Sequence, residues 1–417
     1  MKQNVLSQIS APLCLAALLG QASLRAGDWP QWRGEHRDGR STDTGLLQEW
    51  PAAGPKLAWK ASGLGKGYSG ISAVAKRLYT LGDNDKACRL LALDAADGKI
   101  VWATDVGTPG APGWGGFSGP RCTPTVAGDL VVAVDQWGQL ACLDAADGKE
   151  LWHKHFEKDL GGHRPEWGFS ESPLVEGDLV VCTPGGDAGA VAALEKRTGK
   201  VVWQSKDFTD GAQYSSIIAA DIAGTRQLVQ LTMENVVGLS PKTGAVLWKA
   251  KCKGATAVIP TPIVDGDFVY VCSGYNIGSH LFKIGAADGA FTATPIFAAR
   301  TMINQHGGVV KVGDYLYGSC DSKGLTCQEF KTGKLVWSNK ETIKKGAVSY
   351  ADDRLYCREE DTGTLVLVEA SPTAYVEKGR FTQPDRAKEK AWPHTTIANG
   401  KLYVRDEDNL FCYDVKK

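Results

Sequence analysis

The sequence predicts an all-β fold, an eight-bladed β-propeller built from four-stranded antiparallel blades. Three observations predict it: a tryptophan-bearing phrase that recurs along the chain, a spacing of about 45 residues between copies, and a lone strand near the N-terminus that supplies what the last copy lacks. The phrase reads ALDAADGKIVW ending at Trp102, CLDAADGKELW at Trp152, ALEKRTGKVVW at Trp203, GLSPKTGAVLW at Trp248 and CQEFKTGKLVW at Trp337. Two degenerate copies fill the gaps: KIGAADGAFTA, which ends at Ala293 without its Trp, and LVEASPTAYVE, which ends at Glu377 without Gly or Trp. The turn glycine or its equivalent stands at 98, 148, 199, 244, 289, 333 and 373, with steps of 50, 51, 45, 45, 44 and 40. That period is the length of a propeller blade and too long for helical repeats.

Within each repeat the elements follow from composition. A segment rich in Val, Tyr and Leu opens after a turn: DLVVAV from 129, DLVVCT from 178, DFVYVC from 267, DYLYGS from 314 and DRLYCR from 353. Such β-branched and aromatic runs bounded by turn residues are strands. KRLYTL near 78, RQLVQL near 228 and KLYVRD near 403 bring the total to eight. The Asp-Gly or Thr-Gly step of the phrase then makes a tight turn between the third and fourth strands. Asp94, Asp144 and Glu195 recur at this turn, which assigns them to capping the hairpin rather than to calcium.

Eight central strands meet only seven phrases, because the last repeat ends at Tyr413-Asp414-Val415 after its third strand. Lys56-Leu57-Ala58-Trp59 supplies the fourth, with Trp59 standing 43 residues before Trp102. The two chain ends then share one blade and close the ring, leaving no central edge open. Trp59, Trp102, Trp152, Trp203, Trp248 and Trp337, each at the same place in its own blade, read as architecture that packs a blade onto its neighbour.

Composition supports a large core. Hydrophobic residues make up 43% and charged residues 23%, and 47 basic groups balance 47 acidic ones. No basic stripe is present to neutralise phosphates, so nucleic acid is not an expected partner. Residues 1–26, with Lys2, the apolar run Ala11 to Leu19 and the exit Leu24-Arg25-Ala26, read as a secretory signal peptide. Residues 27–417 are then one exported domain, periplasmic or extracellular, with 45 basic and 47 acidic groups. No later apolar stretch in it is long enough to span a bilayer. Its ten cysteines show no C-x-x-C spacing and mostly fall in alternating apolar segments, which predicts buried free thiols. Cys320 and Cys327 flank the turn Asp321-Ser322-Lys323-Gly324 and could face each other across a hairpin.

The phrase A-x-D-x-x-T-G-x-x-x-W resembles the tryptophan-docking repeat of the PQQ-type β-propellers, which include quinoprotein alcohol dehydrogenases and the outer-membrane assembly lipoprotein BamB. DWPQWRGEHRDGRS at 28–41, WGFSESPLVEGD, IPTPIVDGD and QHGGVVKVGDYLYG are similar to the exported PQQ-like repeat proteins of planctomycetes and verrucomicrobia. The resemblance covers nearly all of 28–417 and implies the fold; for activity it implies either an enzyme or a scaffold. A quinoprotein dehydrogenase would bring adjacent cysteines in a vicinal disulfide, carboxylate and Asn ligands for Ca²⁺ and an Asp base. This chain has no Cys-Cys pair and nearly minimal blades. The expectation is therefore a non-catalytic binding or scaffold module with no cofactor and no metal, working as a monomer on envelope proteins or on a small-molecule or glycan ligand. The alternative is a PQQ-dependent alcohol or sugar dehydrogenase, with calcium.

Ligands of propellers sit where the joints between blades gather at one end of the channel. Here those joints are rich in aromatic and polar groups, and the candidate contacts are Tyr68, Arg121, Trp167, Ser170, Tyr214, Ser215, Asn304, His306, Trp392 and His394. Other constellations carry less. His153 and His155 alternate on an outer strand without a third ligand, and the Gly-rich runs at 63–70 and 110–116 precede no helical pattern that could hold a phosphate.

Overall fold

A computed structural model describes residues 27–417; the signal peptide read at 1–26 lies outside the described residues. Eight separate four-stranded antiparallel sheets form the blades of the propeller. Blade 1 consists of Ser72–Val74, Arg77–Asp83, Cys88–Asp94 and Ile100–Gly107, from the channel outward. Blades 2 to 7 span 125–155, 174–204, 218–251, 263–299, 309–339 and 346–382. The single helix among the described residues, Phe156–Leu160, is a short outer connection.

Blade 8 closes the ring. Thr396–Ala398, Lys401–Asp406 and Asn409–Asp414 form its first three strands, and Lys56–Ala61 is the fourth. The register places Trp59 opposite Cys412 and Lys60 opposite Phe411. A sheet that would otherwise end on the open edge of Asn409–Asp414 is thereby paired.

Packing between blades carries the core. Tyr79, Leu90 and Ala92 of blade 1 share a buried cluster with Val131, Leu140 and Cys142 of blade 2, and the other blade pairs repeat the arrangement. At the outer turn of blade 1, Asp94 Oδ1 accepts the Ala96 N–H at 2.9 Å, and in blade 2 Asp144 Oδ1 accepts that of Ala146 at 2.8 Å. Glu195 receives the N–H of Thr198 at 2.8 Å in the same way. The acids cap the hairpins.

The preceding blade's tryptophan lies on this capped turn. The indole N–H of Trp59 donates to the Ala95 carbonyl at 3.2 Å, Trp102 to Ala145 at 3.2 Å, Trp152 to Lys196 at 2.9 Å, Trp203 to Pro241 at 2.9 Å and Trp337 to Ser371 at 2.9 Å. Gly148, at φ +75°, lies under Trp102, and a Cβ there would stand 2.5 Å from the ring. Glycine is required at that position twice over, by its positive φ and by the indole.

Trp248 departs from the pattern, donating instead to Gln227 Oε1 of its own blade at 2.6 Å. The turn that would receive it, in blade 5, has Gly285 at the position of the capping acid. There Gly278–Ala287 and Ala290–Ala299 run ten residues each into a two-residue turn, Asp288 at φ 51° and Gly289 at φ 78°. Ala286, where the other turns offer a carbonyl, is drawn into the ladder opposite Phe291. On the far side of blade 5, Phe297 takes the place of the missing tryptophan: a Cβ on Gly333 of blade 6 would stand 2.7 Å from its ring.

The channel is not empty. The segment before the closing strand threads along it and is bonded to every blade. Trp29 pairs with Ala73 of blade 1 in both directions, at 2.7 and 2.8 Å, and Pro30 accepts from Val126 of blade 2 at 2.8 Å. Arg37 donates to the carbonyls of Ser172 at 2.8 Å and Ile217 at 2.9 Å, at the entries to blades 3 and 4. Trp32 donates to Thr261 Oγ1 beside blade 5 at 2.8 Å, and Arg33 to the Val309 carbonyl of blade 6 at 2.7 Å. Gly39 and Ser41 bracket Tyr350 of blade 7, and Asp43 Oδ2 accepts from Gly400 of blade 8 at 2.7 Å.

All ten cysteines of the described residues are free and buried. Cys320 lies opposite Gly324 and Cys327 opposite Tyr317, so the two thiols do not face each other across their hairpin.

Trp102→Ala is expected to lower the unfolding free energy by about 3–5 kcal/mol, since it empties a space between two blades. Trp114→Ala, at a ring 69% exposed, should change it by no more than about 0.5 kcal/mol. Guanidinium denaturation of both variants checks this; equal losses would contradict the packing role of Trp102.

Candidate functional site: an aromatic mouth over the plugged channel

The connections that carry the chain from one blade's outer strand to the next blade's inner strand converge at one end of the channel. They enclose a cavity of about 370 Å³, within the range typical of small-ligand sites. Eight of the ten residues expected there line it: Tyr68, Arg121, Trp167, Ser170, Tyr214, His306, Trp392 and His394. Ser215 and Asn304 do not. Ser215 is fully buried with its hydroxyl on the Pro260 carbonyl at 2.9 Å, and Asn304 is turned inward onto the Ser319 carbonyl at 2.8 Å. Both neighbour lining residues in sequence, but the backbone they satisfy lies beneath the mouth.

Several lining residues were not among those expected. Trp32, Trp114, Tyr275 and Glu360 complete the wall, beside Phe117 of the joint that carries Arg121. Trp32 belongs to the channel segment and forms the floor, its ring centroid 4.5 Å from that of His394. Its position rests on how the segment threads, which spacing does not show. Glu360 lies just past the second strand of blade 7, a position that composition does not separate from an ordinary turn acid.

Aromatic contacts order the walls. Tyr68 and Phe117 lie 4.7 and 4.8 Å from Trp392, while Trp167 lies 5.7 Å from Trp114 and 6.1 Å from Tyr214. Backbone contacts hold them: the Tyr214 hydroxyl accepts the Trp167 N–H at 3.2 Å. Arg121 donates to the carbonyls of Gly119 at 2.8 Å and Phe117 at 2.7 Å, so its guanidinium shapes the loop that presents Phe117.

Glu360, His306 and His394 form the polar end. Trp392 Nε1–H donates to Glu360 Oε2 at 3.0 Å. His306 Nε2 stands 3.6 Å from the same oxygen, beyond hydrogen-bond reach, and is otherwise unpartnered. Burial pushes the His306 imidazole down to about 4, so at neutral pH the pair is not a salt bridge. His394 Nε2–H donates to the His306 carbonyl at 2.9 Å, its Nδ1 is unpartnered, and burial pushes it down to about 3. Below the floor, Glu171 accepts from Thr183 Oγ1 at 2.9 Å and burial raises it to about 7.

The donor set does not suit PQQ with calcium. Calcium takes six to eight oxygen ligands with several carboxylates, whereas Glu360 is the one carboxylate of the lining. Among the described residues no group of three or more His, Cys, Asp or Glu could hold a metal ion. A tricarboxylate quinone would need cationic partners, and the Arg121 fork is already engaged.

The blades, the closure and the mouth define a PQQ-like β-propeller protein. A family model described as outer membrane protein assembly factor BamB matches residues 86–339, and the chain belongs to that family. BamB of Burkholderia pseudomallei is 28% identical over 189 residues, 44% of this chain and 43% of the relative. The crystal structure of BamB from Moraxella catarrhalis superimposes with a TM-score of 0.61 at 15% identity, covering 87% of this chain and 98% of that one. Quinohemoprotein alcohol dehydrogenase from Comamonas testosteroni gives 0.64 at 14% identity, covering 94% and 81%. At these identities the structures speak for the fold alone. The chain spans 43% to 61% of the length of three BamB relatives and about a quarter of the quinone-dependent alcohol dehydrogenase subunits it also matches.

The buried ionisable groups make opposite demands on pH. The unfolded His306 protonates below its ordinary value of 6.5 while the folded one resists to about 4, so its contribution is lost as pH falls through that window. Glu171 is protonated in the fold up to about 7 but ionised above 4.5 when unfolded, so its contribution is lost as pH rises from 4.5 to 7. Relative to wild type, His306→Gln should gain stability as pH falls from 6.5 to 4, and Glu171→Gln as it rises from 4.5 to 7. Denaturation midpoints across pH check this; profiles parallel to wild type would contradict it.

Proposed function

We propose that this protein is an exported, non-catalytic binding module whose ligand enters the aromatic mouth. The observation that carries the reading is the cavity itself: aromatic rings from five inter-blade joints converge on a space of about 370 Å³ around a few polar atoms. A ring of blades acting only as a spacer has no use for such convergence. No helix among the described residues is long and apolar enough to cross a membrane. The signal-like residues 1–26 support delivery of the chain to the periplasm or beyond.

A second reading has its own support. Ile100 and Val101, Val201 and Val202, and Leu335 and Val336 are exposed apolar pairs on the outermost strands, where a partner could add to a blade edge. Relatives named for outer-membrane protein assembly favour an envelope protein as that partner. The two readings call for different surfaces of one propeller.

Screening wild type, Trp167→Ala and His306→Ala side by side against sugars, peptides and envelope extracts separates them. Ligands of the mouth should bind at least about tenfold more weakly to the variants, the loss expected when an anchoring contact goes. Binding unchanged in both variants would move the interaction to the blade edges.

A further inference from the structure

We propose that the mouth takes an uncharged, polyhydroxylated ring, a saccharide, laid against its aromatic walls with hydroxyls directed to Glu360 and His306; this rests on the mouth reading above. The first support is charge. The lining offers one guanidinium and one carboxylate, Arg121 and Glu360. The guanidinium is held by two loop carbonyls. The carboxylate receives the Trp392 N–H at 3.0 Å and has the Lys390 ammonium 4.0 Å away. The guanidinium is not left to answer an anion, and one carboxylate beside an ammonium shared with Asp361 is a weak counter-ion for a cation, so a strongly charged ligand would surrender its hydration at a loss.

Shape is the second support. One wall sets Tyr68 and Phe117, tilted, about Trp392, and the other sets Trp167 between Trp114 and Tyr214. Flat faces with negative π density match the C–H faces of a pyranose, whose hydrogens carry partial positive charge. Trp114 is 69% exposed at the rim, a ring that burial of its own core does not explain. Trp32, fixed through Thr261, closes the floor so that a ring lies across the mouth and does not pass through the channel.

The third support is what the polar end lacks. His306 Nε2 is buried without a hydrogen-bond partner, 3.6 Å from a carboxylate oxygen that does not reach it. An unmet buried polar atom destabilises the fold unless something satisfies it. A sugar hydroxyl both donates and accepts, so vicinal hydroxyls can serve the Glu360 carboxylate and the imidazole nitrogen together. An apolar ligand could serve neither, and a quaternary ammonium would bring no hydrogen bond.

The test titrates the full mature chain with cellobiose, maltose and N,N′-diacetylchitobiose, following tryptophan fluorescence and heat. Choline, citrate and a proline-rich peptide are titrated in parallel. The proposal expects saturable binding of at least one disaccharide. Glu360→Gln and Trp114→Ala should each weaken it about tenfold, the loss of one charge-assisted hydrogen bond or one stacking contact. Disaccharide binding that both variants leave unchanged would overturn the proposal. Binding of choline, citrate or the peptide alone would overturn the saccharide assignment and keep the mouth as a site. Failure of every probe would overturn both.

Discussion

Closure of the ring by the two chain ends is the constraint on which the structure depends. Each blade is a sheet with an inner edge, and eight such edges can face one axis only if the eighth sheet is complete. Lys56–Ala61 completes it, and the residues just before that strand are spent along the axis. Arg33 and Arg37 show what holds them there. Burial lowers both to about 10, so both remain charged at neutral pH, and each guanidinium is met by backbone carbonyls of the surrounding blades. Buried charge tolerates few geometries, and the carbonyls at the blade entries come together only around a closed ring. Closure and axle therefore specify each other.

The mouth inherits its order from this core. Trp32 is a floor because its neighbours are locked in the channel, and His394 is fixed against it by a bond to the His306 carbonyl. Walls come from separate blades, so their spacing is set by the wheel and not by any one loop. The site is thus rigid where it meets the channel and open at the rim, where Trp114 stands. A ligand held there, as proposed, would meet preorganised faces at small ordering cost.

How much of this was legible in the sequence varied with the kind of signal. Local repetition was clear: the phrase located the outer hairpins, and Asp94 and Asp144 cap them as a recurring turn acid should. Counting strands located the closure at Trp59, because an unpaired edge is a physical deficit that a sequence can display. Contacts across the wheel were less visible. The segment DWPQWRGEHRDGRS was distinctive without disclosing that it fills the channel, since its partners lie up to hundreds of residues away. Ser215 and Asn304 share composition with their lining neighbours but point to buried carbonyls, a distinction made by the local twist of each joint. Trp248 keeps its phrase yet bonds within its own blade, because the carbonyl of Ala286, which the next turn would offer, lies in an extended hairpin ladder.

Hydrogen exchange, resolved by fragment, tests the closed ring most directly. The amides of Trp29, Gly39 and Ser41, and those of 56–61 that pair with Asn409–Asp414, should exchange as slowly as those of the second and third strands of blades 1 and 8, through opening of the whole wheel. Fast exchange of either segment, with the blade strands still protected, would mean that the chain ends are an ornament on an open ring and would contradict the account.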